Sequence, residues 1–500
     1  MKHALTIILL GLVLIFCTPL EALGESETVV AADDIMIKMR LGLPVDYENA
    51  VIKGNLTSDR LGMTAKQILR IPFEVKMPPS EQMQVNSSVV IKNSIICGRV
   101  DFNNTLFHKP VRFENVFFVE NAKFRNSIFN EDTAFDHSIF LKEGSFEGSK
   151  FDGKANFFQT HFNRPASFDG AKFGGIADFS LAQFRSDGQF VSSQFSSDVF
   201  FNETNFGGEA NFRASQFNRD AEFNKTRFEK ETSFEGAKFT GSAQFSESVF
   251  NESIELNSVQ FEKVVRFDQA QFKGPAFFAR AKFDDLVEFS DCNFLNNATF
   301  KESDFKVDAT FNNTSFLEPA DFRGSNFLGF ADFGGSKFAF DADFSDSIFR
   351  GPADFSRSAF SQRVNFYNTQ FKKNVHFESS QINTINLTGA GYDWLYLKWD
   401  CIGHLEFDDA AYQTLISNYK RLQWLTDSSD CSSTHLKEII MVAPDDSHKW
   451  IIDGILSMVA GTNSSNSSPR INIFYEAINK KWKSAPQSQD PGPDPTIISA

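Results

Sequence analysis

Tryptophan and tyrosine are scarce, with 5 and 7 residues in a chain of 500, whereas phenylalanine occurs 60 times. The aromatic content is therefore one residue type used repeatedly. Cysteine is also sparse at five residues. Cys17 lies at the end of the N-terminal apolar run, and Cys97, Cys292, Cys401 and Cys431 are too few for a disulfide-stapled scaffold. Cys401 and Cys431 are the candidate disulfide if the compartment is oxidising, with free thiols as the equal alternative. Basic residues are outnumbered, 49 against 64, for a net charge of −15. That acidic balance argues against a nucleic-acid ligand, which asks for basic stripes. No apolar run of about 20 residues follows the N-terminal segment, so no transmembrane channel is expected. Phosphate loops, zinc spacings and serine-nucleophile motifs are missing, and histidines such as His108, His161 and His376 stand singly. The expectation is a non-enzyme with no cofactor and no metal.

What is present is a beat. In FRASQFNRDAEFNKTRFEKETSF, phenylalanine falls at Phe212, Phe217, Phe223, Phe228 and Phe234, in gaps of five and six. Steps of eleven from Phe102 to Phe377 meet Phe everywhere except Leu256. Steps of eleven from Phe107 meet Phe everywhere until Ile382. Two residues before each stands a small or β-branched residue, such as Ala210, Ser215, Ala221 and Thr226. The larger Ile254 precedes the lone Leu256, so the two slots trade volume. Every proline between 91 and 388 (Pro110, Pro165, Pro275, Pro319 and Pro352) lies three residues before a Phe of the first series. Proline lacks a donor and marks a corner, which is where the sixth residue is expected.

A helix does not fit. At 100° per residue, five- and six-residue steps send the two Phe series about 140° apart. A two-residue strand period instead puts each Phe and the small residue before it on one inward face. Such short units bury their Phe only by stacking, which makes a β-solenoid.

ADFSLAQF at 177 to 184, ADFRGSNF at 320 to 327, ADFGGSKF at 331 to 338 and ADFSDSIF at 342 to 349 resemble the A(D/N)LXX motif of the pentapeptide-repeat family. The resemblance spans roughly 91 to 388. It implies a right-handed quadrilateral parallel β-helix with four short faces per coil. The family's strict repeat gives twenty residues per coil, whereas alternating fives and sixes give 22. The expected core includes Phe322, Phe327, Phe333 and Phe338 beside the five named above. The 52 register positions make 13 coils.

The opening MKHALTIILLGLVLIFCTPLEALG reads as a signal peptide over 1–24, with an uncleaved anchor as the alternative. Residues 25–90 read as an N-terminal cap and first irregular coil, with a helix over 31–42 closing at Gly42. Residues 389–485 read as a helical C-terminal cap or interaction region, with helices over 408–425, 447–461 and 471–483, and 486–500 as a disordered tail. The C-terminal helices are candidates for peripheral membrane or partner contact.

Asp321, Asp332, Asp343 and Asp354 recur every eleven residues and would stack as Asp321 on Asp343 and Asp332 on Asp354. They read either as the motif's ordinary outward position or as cation or acid–base ladders. Asn-x-Ser/Thr triplets, including those at Asn202, Asn224, Asn251, Asn312 and Asn463, are glycosylation candidates. The leading functional expectation is an exported, acidic repeat scaffold or protein-interaction module at the cell surface, its protein partner unknown. The family supplies one alternative, a DNA mimic that binds topoisomerases. The other is a surface polysaccharide-active β-helix enzyme, which would need an acid pair on one face.

Overall fold

The structure is a computed structural model that describes residues 28–61 and 82–442. It divides into two compact units, 1–432 and 433–500. The first is a parallel β-solenoid. Each residue of a strand pairs with its counterpart one coil later: Phe195 with Phe217 and Phe217 with Phe239, Phe206 with Phe228 and Phe228 with Phe250. Four two-residue strands make a coil. Faces a, b, c and d are represented in one coil by His161–Phe162, Ala166–Ser167, Lys172–Phe173 and Ala177–Asp178. Faces a and b join into one sheet near the end, through the longer strands Ala359–Asn365 and Gln381–Asn386. Among the described residues face d carries sixteen strands, so the solenoid has about sixteen turns. Coils continue past both ends of 91–388: Val45–Glu48 starts face d, and Ile402–Leu405 pairs on Gln381–Asn386.

The register phenylalanines fill the interior. Phe212, Phe217, Phe223, Phe228 and Phe234 are fully buried, as are Phe322 and Phe333, with Phe327 and Phe338 nearly so. Rings one coil apart lie face to face, as Phe190, Phe212 and Phe234 do at 4.8 Å between successive centroids. First-series rings half a coil apart meet edge to face across the core, Phe212 on Phe223 at 5.5 Å and 87°. Both geometries satisfy the aromatic quadrupole. Leu256 interrupts one column, and Ile254 beside it is equally buried, supplying volume that the missing ring does not.

The small slot has two versions. Before second-series Phe it is often Ser or Thr, because the hydroxyl donates to a Phe carbonyl of the preceding coil: Ser215 Oγ to Phe190 O at 2.6 Å, Thr226 Oγ1 to Phe201 O at 2.7 Å. A carbonyl inside the barrel is thus paired. Cys292 occupies the same slot, with Sγ 2.9 Å from Phe267 O.

The two gap lengths make different corners. In the five-residue gap the second residue after Phe has positive φ in successive units, for instance Ala214 at 54°, Lys225 at 57° and Gly236 at 67°. The following N–H donates back to the Phe carbonyl, as Ser215 N does to Phe212 O at 3.2 Å. This is a β-turn with a left-handed third residue, which is why Asn and Gly recur there. The six-residue gap carries the proline position. Asp at that same position accepts the N–H of its counterpart one coil later: Asp187 from Glu209 at 3.1 Å, Asp220 from Ser242 at 3.0 Å, Asp308 from Phe330 at 2.8 Å. Proline brings no N–H to be accepted, and no proline stands one coil after such an Asp. One residue earlier the chain passes so close to its neighbour that a Cβ on Gly351 would lie 1.9 Å from Gly329 O.

Both ends are covered. Helix α1, Ala32–Arg40, buries Ile35, Met36 and Met39 against the first coils. It closes in a Schellman turn, with Gly42 at φ 68° and Leu43 N bonded to Lys38 O at 2.9 Å. Helix α2, Asp409–Arg421, starts at Asp408, whose carboxylate accepts Ala411 N at 2.8 Å. It buries Tyr412, Leu415, Ile416 and Tyr419. Helix α3 spans Leu425–Val442; its Ser- and Asp-rich first half hides it from a reading of apolar periodicity. The expected helices over 447–461 and 471–483 lie outside the described residues.

Candidate interaction surfaces

With every compulsory side chain inward, function rests on the outward residues. Each strand offers one, and its counterpart in the next coil stands beside it, so the faces are ladders of in-register side chains. Asp321 pairs with Asp343 on face b, and Asp332 with Asp354 on face d. Each carboxylate accepts the backbone N–H two residues on: Asp321 from Arg323 at 3.0 Å, Asp332 from Gly334 at 2.8 Å, Asp343 from Ser345 at 2.9 Å, Asp354 from Ser356 at 2.7 Å. Asn156, Asp178 and Asn211 do the same. The outward Asp or Asn is thus an Asx device that fixes the turn. Burial raises the Asp332 carboxyl above its ordinary pKa, with the Asp354 charge adding to it. Among the described residues no three His, Cys, Asp or Glu side chains converge as a metal site would require.

Charge along the faces and corners is interleaved. Arg213 meets Glu235 at 2.6 Å, Lys230 meets Glu252 at 2.7 Å and Arg266 meets Glu288 at 2.5 Å, each pair one coil apart. Arg323 holds Asp321 with two guanidinium bonds, at 2.9 and 2.7 Å. The acid rows therefore lie among cations and are not a bare anionic ladder.

The histidines stay dispersed. His161 is outward on face a, and burial, reinforced by Arg185, lowers its pKa. His376 contacts Glu378 through Nδ1 at 3.0 Å and stacks on Tyr396 at 4.7 Å. The glycosylation triplets at Asn202, Asn224 and Asn312 have a structural origin. Their Thr204, Thr226 and Thr314 are the buried slot residues, bonded to Phe179, Phe201 and Phe289 carbonyls. The triplet at Asn251 ends instead on Ser253, at the corner position, and Asn463 lies outside the described residues.

Of the two alternatives left open for Cys401 and Cys431, the structure has the free thiols. Cys431 is buried and its thiol is pushed up to about 12, while burial and Asp400 raise Cys401. Both thiols thus stay protonated and slow to oxidise. Burial also raises Cys292 strongly, which fits its packing role.

This is a repeat solenoid whose fold is a scaffold and interaction fold, with no helix among the described residues long and apolar enough to cross a membrane. The family described as "Pentapeptide repeats (9 copies)" matches residues 146–194, 190–238, 234–282, 289–337 and 333–381, so this stretch of the solenoid is a run of pentapeptide repeats. No curated protein and no solved structure matches the chain.

Proposed function

We propose that the protein is an exported, non-enzymatic scaffold that presents its solenoid faces to a protein partner at the cell surface. The observation that carries this reading is the unbroken coil-to-coil pairing along face d from Val111 to Val375, with no loop inserted between coils. A hydrolytic cleft is built from loops that break register, and a flat ladder offers a partner many equivalent small contacts instead. The N-terminal apolar run with Ala22 and Gly24 behind it supports export. Interleaved ion pairs such as Arg266–Glu288 speak against the DNA-mimic alternative, which asks for an uninterrupted anionic row.

The test is cell fractionation with N-terminal sequencing, followed by cross-linking of the processed chain to envelope proteins. Processing near residue 24 and recovery of one envelope protein are the expected results. A cytoplasmic chain that retains Met1 defeats the export reading.

A further inference from the structure

One corner departs from the interleaved pattern. Between faces c and d at the C-terminal end, the register of Ile348 on Gln370 and Ala353 on Val375 sets Arg350 beside Lys372. The register of Gln370 on Gly391 and Val375 on Leu395 then sets Lys372 and Lys373 beside residues 392–394 of the last coil. All three cations are exposed, and among the described residues none of them pairs with a carboxylate. Lys372 donates only to Gln370 Oε1, at 3.1 Å. A fourth cation comes from the last turn of α2: the Arg421 guanidinium lies 4.5 Å from the Trp394 ring centroid, and its Nη2 donates to Asn418 Oδ1 at 3.2 Å.

The carboxylates around this corner are mostly committed. Asp346 accepts Asn368 Nδ2 at 2.8 Å; on the face d side Asp354 accepts Ser356 N, and Glu378 is held by His376 and Ser356 Oγ. Asp393 alone stands exposed among the four cations. Eight of the twelve Tyr and Trp residues lie between 367 and 424. Tyr412 and Tyr419 are buried in the cap, whereas Trp394 stays 37% exposed at this corner.

We propose that the corner formed by Arg350, Lys372, Lys373, Trp394 and Arg421 binds a short acidic segment of a protein partner. Trp and Arg are the side chains that most often carry binding energy at interfaces, and Trp394 supplies the apolar anchor. Arg421, already fixed by its ring and by Asn418, loses little freedom in taking a carboxylate through its remaining donors. The cations span three coils, on the order of 10 Å at ~4.8 Å per coil, which is the reach of a few extended residues. Beyond them the Asp354 side of face d and the net charge of −15 repel a long polyanion or an anionic membrane. The inference rests on the interaction reading for the partner being a protein, and it does not depend on export.

Fluorescence anisotropy of fluorescein-labelled hexaglutamate, titrated with the purified full chain, tests it. A saturable rise that weakens as salt is added is expected. Lys372→Glu plus Lys373→Glu should weaken binding about tenfold or more, with far-UV dichroism and melting temperature unchanged. Trp394→Ala should weaken it as well, and Lys172→Glu, far along face c, should leave it as it was. The proposal is overturned by an absence of binding, by a double variant that binds like wild type, or by tighter binding to polygalacturonate or phosphatidylglycerol vesicles at equal anionic charge. Since the assay needs neither export nor an envelope protein, its failure is distinct from a failure of fractionation and cross-linking.

Discussion

The side-chain amide of Asn418 pairs with both backbone groups of Leu395: Oδ1 accepts its N–H at 3.3 Å and Nδ2 donates to its carbonyl at 2.8 Å. One residue of α2 thereby imitates the strand that would have come next on face d. An open sheet edge invites pairing with other chains, and this contact covers it. Asn418→Ala should speed hydrogen exchange in residues 391–405 and weaken the last coil by about 1–3 kcal/mol, the cost of unpairing buried groups. Unchanged exchange there would show that the rest of α2 suffices as the cap.

Leu256 and Ile254 are predicted to behave as a coupled pair. Leu256→Phe alone overfills the column and should cost about 1–3 kcal/mol. Ile254→Ala with Leu256→Phe restores the combination found in the neighbouring coils and should return near wild-type stability. A double-mutant cycle by urea denaturation reads the coupling.

Glycine should be required at one corner and replaceable at the other. Gly351→Ala sets a Cβ against Gly329 O and should disrupt that corner, seen as a lowered melting temperature. At Gly236, with φ 67° and open space around the Cβ position, Asn should be tolerated at little cost.

Asp332 makes stability depend on pH in a defined direction. Its pKa is raised in the folded state, so the folded chain holds a proton more readily than the unfolded one. The group therefore opposes folding when ionised, and its cost is relieved as pH falls through the raised pKa. Asp332→Asn keeps an acceptor for Gly334 N, removes the charge, and should raise the neutral melting temperature while flattening its rise toward mild acidity. A lower neutral melting temperature would contradict this.

The solenoid was legible because its rule is inward and steric: a Phe slot, a small slot and a proline position repeat without a slip. What was hidden depends on contacts between coils. The Ser215 and Thr226 hydroxyls serve carbonyls of the preceding coil, and Asp187 serves an N–H of the next; neither has a local signature. Cys401 and Cys431 looked pairable because spacing says nothing of direction.

The half-turn relation between the two Phe series also governs how such a chain can change length. Removing one whole coil, for example 212–233, rejoins every column and leaves each downstream side chain on its own face. Removing half a coil also preserves the Phe beat, but it sends everything downstream to the opposite face. Whole coils are therefore the neutral unit of growth and loss. Nothing in the core sets a final number; face d stops where Asn418 covers Leu395, its last strand.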